Sequence, residues 1–391
     1  MKVLVLGASG FIGRHAARAL RAAGHEVVRS PVRFERALEP AAWLASLHGV
    51  EAVVNAVGIF RERGAQTFQA LHDAAPRALF EACEMAGVRR VLQVSALGAD
   101  AGARSAFHAS KKRADDSLRA SGLEWTIVQP SLVFGADGAS ARLFALLASL
   151  PLTPLPGDGR QRVQPIHVDD LAEAIARLVG IEWKDTLCAV GPREVELREW
   201  LAILRAQMDL GAPRFVQVPR LLLPLDRETL QMLDRGNTAP AEAVTRLLGR
   251  AARPPEKFIP EKEASALRTR ARLDWLLPLL RASLAIVWIG SGVVSLGLYP
   301  VEDSLAMLAR VGLSSTFVLY GAALVDMAMG VAIFVVQRRK WLWRLQIALI
   351  AGYSVVIAFW LPELWLHPFG PLLKNLPMLA AILALHELEE R

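Results

Sequence analysis

The apolar run Lys2–Leu6 (KVLVL) stops on three glycines at fixed spacing, Gly7, Gly10 and Gly13, and a helical Ala/Arg/Leu pattern follows through Ala23. This succession of strand, glycine turn and helix limits the chain more than any other feature it carries. Gly7 permits a tight turn, Gly10 lets backbone N–H groups approach a diphosphate, and Gly13 lets helix and strand pack closely. The spacing is GxxGxxG, and its setting between strand and helix is what gives it meaning. The same glycines interrupt the first apolar run, which reads as a strand and not as a signal peptide. Further strands over residues 26–29, 51–57, 90–95 and 125–128 alternate with helices over 76–86 and 111–120. Such alternation predicts an α/β fold with a doubly wound parallel sheet.

Charge is spread unevenly. The chain has 391 residues, 53% of them hydrophobic, and charged residues become sparse beyond about residue 275. That step implies a change of solvent from water to lipid. Residues 282–298, 316–336 and 345–361 each approach the ~20 apolar residues needed to cross a ~30 Å hydrocarbon layer. A fourth stretch, 369–385, contains Lys374, Asn375 and Pro377. The expected organisation is therefore a dinucleotide-type domain over residues 1–265, with a small substrate lobe over about 150–265. An all-α four-helix transmembrane bundle over 272–391 follows it.

Loop charges orient the spans. Arg268, Arg270, Arg272 and Arg281 precede the first, and Arg338, Arg339, Lys340 and Arg344 separate the second from the third. The loop between the first two carries only Glu302, Asp303 and Arg310. Positive segments stay cytoplasmic, so the first domain and the C-terminus are expected in the cytoplasm, on a multi-pass protein of the cytoplasmic (inner) membrane. Trp275, Trp341, Trp343, Trp360 and Trp365 fall near span boundaries, as an aromatic belt requires. Asp326 falls in mid-span, where a charge must be paired, protonated or turned to the bundle interior; Lys374 or Asn375 is its expected partner.

The net charge of +7 suits an anionic lipid or a phosphorylated ligand, but no zinc knuckle, RNP-type motif or long basic run supports nucleic acid. Cys83 and Cys188 imply no disulfide framework and fit a reducing compartment. The histidines are scattered without metal-ligand spacing, and no GxSxG elbow occurs, so neither a metal site nor a serine hydrolase is expected.

The segments GASGFIG, VVNAVG, GVRRVLQVSALGA, SKKRAD, WTIVQPSLVFG and PIHVDDLA occur in this order over roughly residues 1–260. Together they resemble an extended or atypical short-chain dehydrogenase/reductase, similar to the NmrA-like group and to the nucleotide-binding accessory subunit of respiratory complex I. The resemblance implies a Rossmann sheet binding NAD or NADP along its C-terminal strand edge. It implies Gly7, Ser9, Gly10, Phe11, Ile12 and Gly13 at the pyrophosphate, and Ala56, Val57 and Gly58 on the adenosine-ribose side. Ser95, Lys111, Pro130 and Val133 would flank the nicotinamide.

An NAD-preferring site commonly places a carboxylate at the end of the second strand. Here Arg29 and Arg33 stand in that neighbourhood instead, and either could pair bidentately with a 2′-phosphate, which favours NADP. The family's chemistry uses a serine, a tyrosine and a lysine, the tyrosine four residues before the lysine. The match makes Ser95 the serine and Lys111 the lysine, and puts Phe107 where the tyrosine belongs. A phenyl ring has no proton to give, so the usual acid is missing. His108 is adjacent, but neighbours on a helix point ~100° apart, so it reads chiefly as a surface or partner-contact residue. Asp169 and Asp170 read as the cap and opening of a helix.

The segments SLAIVWIGSGVVSL, EDSLAMLARVGL, ALVDMAMGVAIF and HPFGPLLKNLPMLA, over roughly residues 275–390, resemble the DoxX-like family of four-helix membrane proteins. This adds architecture and supports the fourth span. The leading expectation is a membrane-anchored NAD(P)-binding oxidoreductase acting on a lipid or quinone-type substrate at the membrane face. The alternatives are a non-catalytic dinucleotide-binding redox sensor or assembly scaffold, favoured by Phe107, and a sugar-nucleotide epimerase or dehydratase, which Phe107 disfavours.

Overall fold

The computed structural model describes residues 1–219, 227–368 and 370–389. Internal packing divides it into two units, Met1–Arg272 and Leu273–Arg391.

The first unit opens β1 (Lys2–Leu6), α1 (Phe11–Ala22), β2 (Glu26–Val28), α2 (Ala41–Leu47), β3 (Ala52–Asn55), α3 (Ala75–Met85), β4 (Arg90–Val94), α4 (Ala106–Arg119) and β5 (Glu124–Pro130). It continues β6 (Val133–Phe134), α5 (Ala139–Ser149), β7 (Thr153–Pro156), β8 (Arg162–Val163), β9 (Ile166–His167), α6 (Val168–Gly180) and β10 (Thr186–Ala189). Then come β11 (Val195–Glu196), α7 (Leu197–Gln207), β12 (Phe215–Val218), α8 (Arg227–Arg235) and α9 (Glu242–Leu248).

Six strands form one sheet in the order β10-β5-β4-β3-β1-β2, every pairing parallel. The central strands are Val/Leu-rich because both faces are covered. Val3, Val5, Leu92 and Val94 pack toward α1, α6 and α9, while Leu4, Leu6, Val53 and Val91 pack toward α2, α3 and α4. A separate core around Phe134, Trp200 and Phe258 gathers α5, α7 and the short strands beyond residue 150. The chain runs out from β1 to β2 on one side and from β3 to β10 on the other. The strand order therefore reverses between β1 and β3, where doubly wound sheets open a crevice at their C-terminal edge.

Asp169 and Asp170 do not cap α6. The His167 side chain does, accepting from the Asp169 N–H at 3.2 Å. Asp170 is buried instead, and accepts from Arg250 at 2.8 Å and from the Arg253 N–H at 2.7 Å. A histidine fills the cap because its Nδ1 presents a lone pair where a carboxylate oxygen would otherwise sit.

The helix α10 (Glu261–Val293) carries the first apolar span, followed by α11 (Val301–Arg310), α12 (Thr316–Val335), α13 (Lys340–Trp360) and α14 (Asn375–Leu388). Among the described residues three helices are long and apolar enough to cross a membrane. The fourth helix has 14 residues, about 21 Å at ~1.5 Å per residue, and is shorter than the span read from the sequence; Phe369 lies outside the described residues. The connector carrying Glu302 and Asp303 is itself helical, as α11. Phe317, Phe359 and Leu366 are 86%, 77% and 90% exposed, the outward apolar surface that a lipid solvent allows.

The second unit closes on small residues and a few polar ties. A Cβ on Gly292 would stand 2.6 Å from the Ala323 carbonyl oxygen, and one on Gly330 would stand 2.9 Å from that of Ala285. Helices α10 and α12 thus cross at backbone contact. Asp326 lies on this crossing and accepts from Ser291 Oγ at 3.2 Å. Neither Lys374 nor Asn375 partners it: Asn375 Nδ2 donates to Ser354 Oγ at 2.8 Å. Glu389 binds the Arg281 guanidinium and accepts from Trp343 Nε1 at 3.0 Å. Trp343 is wholly buried and so lies outside any aromatic belt, whereas Trp341, Trp360 and Trp365 are about half exposed.

Candidate functional site

The N-terminus of α1 meets the strand edge at the crevice. Gly7 has φ +72°, a backbone that side chains rarely adopt, and a Cβ on it would stand 2.8 Å from the Ala56 carbonyl oxygen. A Cβ on Gly13 would stand 2.1 Å from the Gly7 carbonyl oxygen. No side chain caps α1, whose N-cap is Gly10, and no acidic residue occupies its first turn. Among the described residues no protein group accepts from the N–H groups of Phe11, Ile12 and Gly13. A row of free amides at the positive end of a helix dipole, with Ser9 and Gly10 exposed beside it, fits a diphosphate.

Phe11 anchors this turn from the far side. Its ring sits so close to the loop before α5 that a Cβ on Gly135 or Gly138 would stand 2.9 Å from it. Arg14 pairs with Asp137 on the same loop. Gly135 and Gly138 are thus part of the turn's support. The quoted strand-end segment, closing on VFG, hinted at Gly135 and did not reach Gly138.

The second group lies at the ends of β3 and β4. Asn55 Nδ2 donates to Gln93 Oε1 at 2.7 Å, and Asn55 Oδ1 accepts from the Val57 N–H at 3.1 Å, which fixes the turn Ala56–Val57–Gly58. Lys111 reaches this turn from α4 and donates to the Val57 and Val94 carbonyl oxygens, both at 3.1 Å. It is 3% exposed, and burial pushes its ammonium down to about 8, offset in part by Asp115. Ser95 follows Val94 directly and donates to Asp115 Oδ2 at 2.5 Å. Burial pushes the Asp115 carboxyl up to about 6 against Ser95, Lys111 and Gln129, which lower it. Pro130 and Val133 close the edge at the end of β5 and in β6. Arg29 and Arg33 lie just past β2, both exposed, and neither guanidinium has a partner among the described residues.

Phe107 occupies an aromatic cage. It stacks on Phe60 at 5.3 Å between centroids and meets Phe68, His72 and His108 edge-on at 6.0, 5.4 and 5.3 Å. His108 is not a surface residue. It is 3% exposed, with Nδ1 3.1 Å from the Oγ of the α4 N-cap Ser105. The first turn of α4 folds back beneath the loop that follows Ser95, and this encloses the residue after Phe107 too.

His72 and Asp115 were not singled out from the sequence. His72 sits on a π-helical turn, Gln69–Ala74, before α3. Its Nε2 accepts from the Ile59 N–H at 3.0 Å, so Nδ1 carries the proton and faces Ser110 Oγ at 3.2 Å. Burial, aided by Lys111, pushes it down to about 2. It is neutral, committed at both nitrogens, and unavailable as an acid. The site therefore offers a cradle for a diphosphate, a buried lysine beneath it and an apolar wall where the family's acid would stand. Among the described residues no cluster suits a metal ion.

Comparison with known proteins bears on the fold and the domains. Residues 7–180 match the NAD(P)H-binding family, and residues 285–383 match the DoxX-like family. A ceramide reductase of Caulobacter vibrioides is 33% identical over 56% of this chain and 73% of its own length. Subunit 9 of the NADH dehydrogenase [ubiquinone] 1 alpha subcomplex of Arabidopsis thaliana mitochondria is 26% identical, over 55% of this chain and 60% of that protein. Among solved structures, MoeE5 in complex with UDP-glucuronic acid and NAD shares the fold at TM-score 0.54 and 22% identity, covering 70% of this chain and 100% of that one. The chain belongs to the family of the ceramide reductase, with an NAD(P)H-binding Rossmann domain over residues 7–180 and a DoxX-like domain over residues 285–383.

Proposed function

We propose that the protein is a membrane-anchored NAD(P)H-dependent oxidoreductase that reduces a lipid or quinone-type substrate at the cytoplasmic membrane face. The observation that carries this reading is the uncapped first turn of α1, whose amides face the crevice between β1 and β3. Gly7, Ser9, Gly10, Phe11, Ile12 and Gly13 would hold the diphosphate, and Ala56, Val57 and Gly58 the adenosine-ribose side. Ser95, Lys111, Pro130 and Val133 would border the nicotinamide. A bound reduced dinucleotide supplies a hydride. Lys111 holds the ends of β3 and β4 together, and Arg29 and Arg33 favour a 2′-phosphate. The basic stretches 268–281 and 338–344 support a cytoplasmic side for this domain.

Nicotinamide fluorescence with the full chain in detergent tests the reading. NADPH should quench tryptophan emission and gain nicotinamide emission saturably; absence of binding for both NADPH and NADH ends the proposal. Phe107 supports a second reading, a dinucleotide-bound redox sensor or scaffold without turnover. A Phe107→Tyr variant that gains turnover while the parent has none, both still binding dinucleotide, would favour it. A sugar-nucleotide epimerase or dehydratase is disfavoured, because those reactions need the tyrosine that Phe107 replaces.

A further inference from the structure

The cage around Phe107 has one open side. Phe60 lies parallel to the Phe107 ring, with an interplanar angle of 17°, and is 63% exposed. Behind it Phe68 and Ala96 pack with Phe107 into one small apolar cluster, which Ile59 joins to the core under α2, α3 and α4. Three of the polar groups bordering the cluster are tied to one another. The Ile59 N–H donates to His72, and His72 Nδ1 faces Ser110. The Ser110 hydroxyl in turn donates to the Phe107 carbonyl oxygen at 2.8 Å. The stacked phenyl rings themselves offer no hydrogen bond to a sugar hydroxyl or to a ring carbonyl, and a ligand laying either against them would leave it unpaired. An exposed phenyl face backed by buried rings does suit methylene groups, for which transfer from water is the driving force.

We infer that Phe60 and Phe107 form the specificity wall of the site and take the aliphatic chain of an amphiphilic substrate. This rests on the oxidoreductase reading for the word substrate, but the wall itself binds chain whether or not dinucleotide is present. Phe60 sets the preference as the open face, and Phe107 gives it a rigid backing in place of a phenolic hydroxyl. Sugar nucleotides are rejected for want of partners on this wall.

Photolabelling of the full-length protein in lipid nanodiscs tests the inference, using a long-chain fatty amide that bears a diazirine near its polar end. Peptide mapping should find label within residues 59–68, competed by unlabelled long-chain amide and not by UDP-glucose. Phe60→Asp should reduce that labelling about tenfold or more, while Phe60→Leu retains most of it. Because Phe60 is exposed, both variants should keep the parent's thermal midpoint. Label confined to residues 282–360, or equal labelling of Phe60→Asp, overturns the inference. Failure of dinucleotide binding with the labelling pattern intact would sink the oxidoreductase reading alone.

Discussion

A methyl group on Gly13 would stand 2.1 Å from the carbonyl oxygen of Gly7. The first turn of α1 and the end of β1 therefore touch through backbone, and no side chain fits between them. Gly13→Ala should push the helix away from the strand. We expect a loss of about 2 kcal/mol or more of stability, since overpacking alone costs ~1–3, with dinucleotide binding abolished. Thermal unfolding and nicotinamide fluorescence of the same preparation measure both. A variant that binds with unchanged affinity would show that this contact does not shape the cradle.

Arg29 and Arg33 stand exposed past the end of β2. A charge-assisted pair with a 2′-phosphate is lost on truncation. The double variant Arg29→Ala/Arg33→Ala should bind NADPH about 10- to 100-fold more weakly and NADH within about twofold of the parent. Parallel calorimetric titrations of the two cofactors give the answer, and an equal loss for both would remove the arginines from the 2′-phosphate reading.

His72 is neutral in the fold, and its ordinary value of 6.5 is pushed down to about 2. The unfolded chain binds that proton below about pH 6.5 and the folded chain does not. Stability from this residue is thus fully present above 6.5 and is lost as pH falls. The slope reaches ~1.4 kcal/mol per pH unit, or about 2 kcal/mol between pH 6.5 and 5. Asp115 works in the opposite sense between 6 and 3.8, because its protonated form is the one the fold prefers, so the parent's own curve mixes the two. His72→Gln isolates the histidine. Denaturation of parent and variant at pH 7 and pH 5 should show the gap between them closing at the lower pH. A gap of constant width would mean that His72 does not titrate on unfolding.

In the second unit, Gly292 meets the Ala323 carbonyl oxygen. Gly292→Leu should separate α10 from α12 and cost about 2 kcal/mol or more, read as faster proteolysis within residues 294–315. NADPH affinity should hold. An unchanged digestion pattern would argue that the crossing tolerates bulk.

The parallel sheet was legible in the sequence because its central strands β1, β3, β4 and β5 are runs of buried apolar residues, with the glycine turn after β1 to mark the first crossover. The long spans were legible for the same reason: length and apolarity are local properties. His72 was not, because its meaning comes from a π-helical turn and from Ile59 and Ser110, partners that periodicity does not show. His108 was read as a surface residue because it stands ~100° round the helix from Phe107, yet the Ser105 cap holds it inward. The choice of Ser291 over Lys374 for Asp326 followed from how closely two glycines let helices approach, a three-dimensional fact. The substrate lobe offered few signals.

Glu389 is joined to Arg281, 108 residues earlier, and to Trp343, 46 residues earlier. A single acid thereby ties the end of α14 to the first turn of α13 and to a point within α10, although each helix is stable lengthwise by its own backbone bonding. Replacing it would unfold none of them. It would instead let them slip along their axes, so a neutral glutamine there should yield a bundle with full helix content and poorly defined staggering.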